Sequence, residues 1–344
     1  LSAGSYDIQV KDGNNCISIV VSVTVTEPSG LTAVASGTNL SCNLSGDGTV
    51  SVTASGGTGA YSYNWENAAS AGTSIGTTAS LSGLAAGTYN VTVTDANSCE
   101  ATASVTITEP SAMSSTASST GTSCNGGSDG SVSVTAGGGT PGYTYNWENA
   151  ASAGTSVGVT ATVTGLGAGT YNVTITDANG CEKTDMATVT EPTAVAASIA
   201  SVTHVTCNGG SDGSATASAT GGTGAYSYAW SNGETTAIAS NLTAGTHTVT
   251  ITDANGCEDT ESVTITEPAE VTFTTVVTNV DCHGASTGSI AVSASGGDGS
   301  YMYSKDGGSS FQAGSTFTSL SAGSYDIQVK DGNNCISIVV SVTV

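Results

Sequence analysis

The chain runs to 344 residues, with 27 acidic residues against four lysines, no arginine and a net charge of −23. That balance excludes nucleic acid and anionic membrane as partners. The composition is too poor in helix formers for a helical protein and too rich in β-branched residues for a disordered linker.

Three Trp and three Phe do not fill one large core, so several small cores are expected. Nine Cys in so polar a chain point to an oxidising, secreted, extracellular setting. In chain order, the first feature is a repeat: Leu1 to Val25 recurs without change as Leu320 to Val344, a super-period of 319 residues. Thr-Glu-Pro then marks shorter units at Thr26, Thr108, Thr190 and Thr266, spaced 82, 82 and 76 residues apart. Self-similarity at a fixed period signals a repeat architecture. The expected division is 1–26 as the end of a preceding repeat, then repeats 27–108, 109–190, 191–266 and 267–344, the last of the same type as 1–26. Because residue 1 already lies inside a repeat, the chain is expected to be an internal stretch of a longer protein. It has no run of 18 apolar residues, so no membrane span is expected within it.

Within a repeat the pattern alternates with period two. Val50, Val52 and Ala54 face one way and Thr49, Ser51 and Thr53 the other; Tyr61, Tyr63 and Trp65 share a face, as do Tyr89, Val91 and Val93. That is the signature of half-buried strands, separated here by turn sequences such as Ser55–Gly59 and Thr94–Ser98. About seven short strands per repeat are predicted, giving an all-β tandem array of immunoglobulin-like sandwiches forming an elongated rod. Trp65, Trp147 and Trp230 stand where that fold buries its core aromatic. Tyr89, Tyr171 and Tyr325 stand where a tyrosine corner falls, with His247 in its place in the third repeat. The fourth repeat carries Lys305 at the Trp position, and Phe311 and Phe317 are expected to refill that core.

The motif Cys-Asn-Gly-Gly-Ser-Asp-Gly at Cys124–Gly130 and Cys207–Gly213, followed by Gly221–Trp230 and Val249–Cys257, resembles the SprB-type repeats of giant cell-surface adhesins used in gliding motility by Bacteroidota. The resemblance covers essentially the whole chain. It implies export by type IX secretion and service as a long surface filament. The first repeat departs slightly, at Cys42–Gly48, and the fourth more so, at Cys282-His283-Gly284.

Each repeat has one Cys after its first strand and one after its last hairpin turn. Pairing within a repeat gives Cys42–Cys99, Cys124–Cys181, Cys207–Cys257 and Cys282–Cys335. However, a strand of about eight residues separates the two ends of a sandwich by roughly 25 Å, whereas bridged Cα atoms lie about 6 Å apart. Stapling neighbouring repeats gives instead Cys42–Cys181, Cys124–Cys257 and Cys207–Cys335, with Cys16, Cys99 and Cys282 pairing outside the chain. Both schemes stay open at this level.

Asp47, Glu109 and Asp177 are candidate oxygen ligands for calcium if stacking gathers them at one junction; otherwise no metal or cofactor is indicated. The three His occupy non-equivalent positions, and no nucleophile elbow, zinc-protease motif or phosphate loop occurs, so no catalytic residue is assigned. Motifs that appear three to five times serve architecture. The leading expectation is the stalk of an adhesin whose surface or polysaccharide ligand is met by a tip outside this segment. Its immediate partners would be neighbouring repeats of the same chain. The alternatives are a self-associating filament or sheath, through lateral copies of itself at edge strands, and a glycan-binding array using Glu66–Ser80 and Glu148–Thr162.

Overall fold

The computed structural model describes residues 1–344 and is built of strands and short turns, with two single-turn 3₁₀ segments as its only helix. The chain divides into two compact units. The first comprises Leu1–Ser119, Ser131–Thr164 and Gly169–Thr188; the second comprises Thr120–Gly130, Gly165–Ala168 and Val189–Val344. These borders do not follow the repeat borders. The loop Thr120–Gly130 groups with the second unit because its bonds run to Thr190, Glu191, Pro192 and Cys257.

In the first unit, repeat 27–108 forms a sandwich of two sheets. One orders Thr32–Thr38, Gly48–Ser55 and Ser80–Leu84 side by side. The other orders Ser74–Gly76, Ser62–Asn67, Gly87–Thr94 and Glu100–Ile107. This is immunoglobulin-like order with seven strands, all pairings antiparallel. Strand Gly87–Thr94 buries Tyr89, Val91 and Val93 while Asn90 faces solvent, as period two requires. Trp65 pairs with Val91 across the sheet, is fully buried, and donates its Nε1–H to Thr78 O at 3.1 Å. Tyr89 ties its hydroxyl to Ala85 O at 2.9 Å, the corner geometry. At Gly48 a Cβ would come within 2.8 Å of Leu84 O, so only glycine lets these two strands meet. The segment after Trp65 folds into the 3₁₀ turn Ala68–Ser70, capped by Asn67 Oδ1 accepting from Ala69 N.

The same unit holds Thr144–Asn149 between Ser156–Gly158 and Gly169–Thr176, with Trp147 fully buried and bonded to Thr160 O at 3.2 Å. Tyr171 is buried too. It also holds an N-terminal hairpin, Gly4–Ile8 with Val21–Val25.

In the second unit, repeats 191–266 and 267–344 form sandwiches of two three-stranded sheets each. Six strands stand here where seven are predicted. The physical reason is local: in the third repeat Trp230–Glu234 closes a tight turn, with Trp230 N donating to Glu234 O at 2.9 Å, which removes the short edge strand and six residues. Trp230 is buried and donates to Thr236 O at 3.0 Å, while His247 takes the corner role against Thr243 O at 2.9 Å. In the fourth repeat Phe317 is buried with Tyr303, Ile327 and Val329, whereas Phe311 is only half-buried, 4.8 Å beneath Lys330 Nζ. Tyr325 is half-buried and donates to Ser321 O at 3.0 Å. No helix is long and apolar enough to cross a membrane.

Candidate functional site: the joint between consecutive repeats

One construction recurs three times and draws together most of the recurrent motifs of the repeat. In the first unit it is built from the loop Cys42–Asp47, the linker Thr108–Pro110 and the turn Asp177–Cys181. Cys42 follows the first strand of its repeat, and Leu40 N donates to Thr108 O, which places that loop beside the end of strand Glu100–Ile107. Cys99 lies just before the start of the same eight-residue strand. The two cysteines of one repeat are therefore a strand apart, roughly 26 Å, and Cys42–Cys99 is not formed. Cys42 is bonded to Cys181 of the next repeat, Cα atoms 5.8 Å apart.

Polar contacts hold the disulfide in place. Asn179 Nδ2 donates to Ser41 O at 2.9 Å across the joint, and Asn43 Nδ2 donates to Pro110 O at 3.2 Å. Glu109 Oε2 accepts from Leu44 N at 2.7 Å, fastening the linker to the loop that precedes it. Asp177 shapes the other side: it accepts from Asn179 N at 2.8 Å, Cys181 N at 2.9 Å and Thr140 N at 2.8 Å. The last contact needs Gly139, at φ +58°, because a Cβ there would lie 2.5 Å from Asp177 Oδ2. Chiefly the Thr140 amide, with the turn's own amides adding, lowers the Asp177 carboxyl below the usual range against the opposing effect of burial.

The second unit contains the other two joints. Cys124 is bonded to Cys257 with Cα atoms 5.6 Å apart, and Cys207 to Cys335 at 5.4 Å. Asn255 Nδ2 donates to Ser123 O at 3.1 Å, and Glu191 and Glu267 accept from Gly126 N and Gly209 N at 2.7 and 2.6 Å. Asn125 and Asn208 reach Pro192 O and Pro268 O. The pairs Cys124–Cys181, Cys207–Cys257 and Cys282–Cys335 are not formed either, for the reason given at Cys42 and Cys99. Cys16, Cys99 and Cys282 are free and exposed.

The structure does not gather Asp47, Glu109 and Asp177 into one group. Each carboxylate is already engaged by separate N–H or O–H donors, and no group of acidic, His or Cys side chains is placed to hold a metal ion. Asp47 instead braces its own loop, accepting from the Ser41 and Ser45 hydroxyls and from Ser41 N. The Ser41 hydroxyl first, then Ser45 and the Ser41 amide, lower its pKa from the ordinary 3.8 to about 2. A folded pKa below the unfolded one stabilises the fold above pH 3.8 and loses that contribution as pH falls toward 2. Asp129 and Asp212 are lowered by the equivalent Ser123 and Thr206 groups. Thermal melting of the oxidised chain is therefore expected to hold steady above about pH 4 and fall steeply between pH 4 and 2.

The hydrogen-bond partners of Glu109 and Asn179 escape a sequence reading because they lie 65 and 138 residues away. A signal exists nonetheless: Thr-Glu-Pro recurs wherever Cys-Asn is followed by a residue in left-handed conformation. That residue is Gly126 and Gly209 in two joints but Leu44, at φ +59°, in the first. Leu44 is 81% exposed, so its side chain gains nothing by burial. A left-handed Leu costs about 1–2 kcal/mol, and glycine's extra chain entropy costs about 0.5–1 kcal/mol. Leu44→Gly should thus stabilise the first repeat by about 0.5–1 kcal/mol in denaturant melts, with Gly126→Leu doing the opposite.

A protein-family model described as the SprB repeat matches residues 34–70, 116–152, 199–235 and 274–310. No curated protein matches. Among solved structures, Sidekick-1 immunoglobulin domains 1–5 align at 13% identity and TM-score 0.29, covering 99% of this chain and 85% of that one. Fibronectin(III)-like modules of Clostridium thermocellum CbhA align at 18% and 0.21, covering 43% and 90%. Domains 1–6 of surface layer protein SbsC align at 14% and 0.23, covering 92% and 54%. The four family matches fall on the same stretch of each complete repeat, from the first strand through the Cys loop to the Trp or Lys305 region. Repeats in series with three disulfides are what an extracellular, cell-surface stalk region is made of. The chain carries four SprB repeats.

Proposed function

We propose that this chain is the stalk of a long surface adhesin that transmits force to the cell and displays an adhesive tip lying outside it, in service of gliding motility. The observation that supports this reading is the threefold recurrence of one joint, in which a disulfide binds the loop of one repeat to the turn of the next. A binding site or an active site is needed once; a joint that recurs in series supports mechanical continuity. The repeats bind one another, the ligand (a surface or polysaccharide) is met at the tip, and no cofactor enters.

The test is made on cells displaying the full-length protein with Cys42, Cys124 and Cys207 replaced by Ser. Surface display should persist while attachment under flow and gliding speed fall. Unchanged attachment at high shear, with display intact, would sink the reading.

A further inference from the structure

Five Asn-Gly pairs occur in the chain, and four of them lie in the joints: Asn125-Gly126 and Asn208-Gly209 in the loops, Asn179-Gly180 and Asn255-Gly256 in the turns. Asn is thermolabile, and most so before Gly, where no Cβ keeps the next amide nitrogen from reaching the Asn side chain. All four pairs are exposed, so water reaches each of them and burial protects none. Hydrogen bonds hold the reacting groups apart instead. Asn255 Nδ2 is held across its joint by Ser123 O at 3.1 Å; Asn179 Nδ2 is held by Ser41 O at 2.9 Å and by Thr140 Oγ1 at 3.0 Å. In the loops, Asn125 and Asn208 are held by Pro192 O and Pro268 O at 3.1 and 3.2 Å. The attacking nitrogens are occupied too. Gly126 N and Gly209 N donate to the Glu191 and Glu267 carboxylates, and Gly180 N and Gly256 N to Asp177 O and Asp253 O. A carboxylate beside an amide also opposes its deprotonation, since two negative charges would then face each other.

We propose that these four Asn-Gly pairs are modification sites, shielded while a joint is closed and deamidated once it opens, so that an opened joint does not close again. Opening frees the Asn side chain in the turns, and in the loops it frees the Gly nitrogen as well. That nitrogen gives its proton to solvent and attacks Asn Cγ. The Cγ–Nδ2 bond breaks and Nδ2 leaves as ammonia, taking a proton from water. Water then opens the succinimide to aspartate or isoaspartate, so the reaction consumes water alone and needs no oxidant or reductant. The product has lost its side-chain donor, because a carboxylate accepts hydrogen bonds and gives none. At position 255 or 179 it would face Ser123 O or Ser41 O. At position 125 or 208 it would face Pro192 O or Pro268 O, beside the carboxylate of Glu191 or Glu267. Each case sets acceptor against acceptor where a bond had been, which favours the open joint. The first joint carries its own control. Asn43 makes the equivalent bond to Pro110 O, but the next residue is Leu44, whose side chain obstructs the attack.

The test incubates the full chain, oxidised or reduced with a phosphine, in mildly alkaline buffer and maps peptides with separation of aspartate and isoaspartate from asparagine. Reduction should raise the rate at Asn255 by about tenfold or more, the factor that loss of a loop-closing disulfide supplies. Asn179 should gain less, because Thr140 Oγ1 still holds it. Asn232-Gly233 is the internal reference: its bonds run to Glu234, Ser240 and Trp230 of its own repeat, so its rate should not change. Asn43 should stay intact in both states, and Leu44→Gly should make it reactive on reduction. In the oxidised chain Glu191→Gln, which keeps an acceptor and removes the charge, should speed Asn125 severalfold and leave Asn255 as it was. After reoxidation in air, chains deamidated at position 255 should be depleted from the fraction bridged between Cys124 and Cys257. Near-ultraviolet signals of the buried Trp65, Trp147 and Trp230 report that their repeats stay folded. Equal rates at Asn255 in the two states with that signal intact overturn the proposal, as does an equal rise at Asn232. An unchanged Asn125 in oxidised Glu191→Gln overturns it for the loops, and undiminished bridging of deamidated chains overturns its irreversible step.

Discussion

Reduction of the three disulfides should lengthen the fully stretched chain about fourfold. Cys42–Cys181, Cys124–Cys257 and Cys207–Cys335 overlap along the sequence, so the covalent graph contains a short cut. Tension entering at Leu1 runs to Cys42, crosses to Cys181, continues to Cys207, crosses to Cys335 and leaves at Val344. The backbone on that path is 1–42, 181–207 and 335–344, about 80 residues, or roughly 280 Å at 3.3–3.6 Å per residue. The reduced chain of 344 residues reaches roughly 1,200 Å.

Pulling single oxidised molecules from their two ends should thus give a limiting extension near the lower figure, with all further length appearing only after a reductant is added. Pairing within repeats would hide one repeat's loop per bond, and the oxidised molecule would still stretch between its bonds at every linker. Staggered bonds instead leave the middle of each bridged loop off the load path: residues 43–180 and 208–334 carry no tension until a disulfide breaks. An oxidised limiting extension close to the reduced one would show that the bonds are absent in solution, and one near the length of about 130 residues, roughly 450 Å, that they pair within repeats.

Strand alternation, the Trp and Tyr positions and the four repeats were all legible because each depends on residues within one repeat, often within ten positions. The separation of Cys42 from Cys99 was legible too, since it follows from strand length alone. What local patterns did not contain was the set of bonds whose partners lie a whole repeat away: Glu109 on Leu44 N, Asn179 on Ser41 O, and the grouping of Thr120–Gly130 with the second unit. The engagement of Asp47, Glu109 and Asp177 was illegible for a related reason. Acidic residues in turns look unemployed in the sequence, yet each has an N–H or O–H partner that only the folded loop supplies. About seven strands were expected in every repeat, and the third and fourth have six; in the third the tight turn at Trp230–Glu234 removes one, and only the shorter 76-residue spacing hinted at it.

Trp147→Ala should be the most damaging single substitution in the second repeat, costing about 3–5 kcal/mol. Trp147 is fully buried, pairs with Val173 and sits opposite Gly158 across the sheet; removing its indole leaves a cavity that facing strands cannot close. It also leaves Thr160 O without the Nε1–H donor. Trp147→Phe keeps much of the volume and loses that bond, so it should cost less, about 1–3 kcal/mol. Hydrogen exchange along Gly169–Thr176 would read the loss repeat by repeat, where a global melt would average several cores. The fourth repeat holds no Trp, and its core is filled by Phe317 and Tyr303. Trp147 is thus required by the packing of its own repeat and by nothing in the joints. The load path sharpens the prediction. Position 147 lies within 43–180, so the oxidised Trp147→Ala molecule should reach the same limiting extension as the parent although its second repeat exchanges far faster. After reduction that repeat should be the first to unravel under force. If oxidised Trp147→Ala instead stretched further than the parent, tension would be passing through the second repeat, and the Cys42–Cys181 bond would not be carrying it.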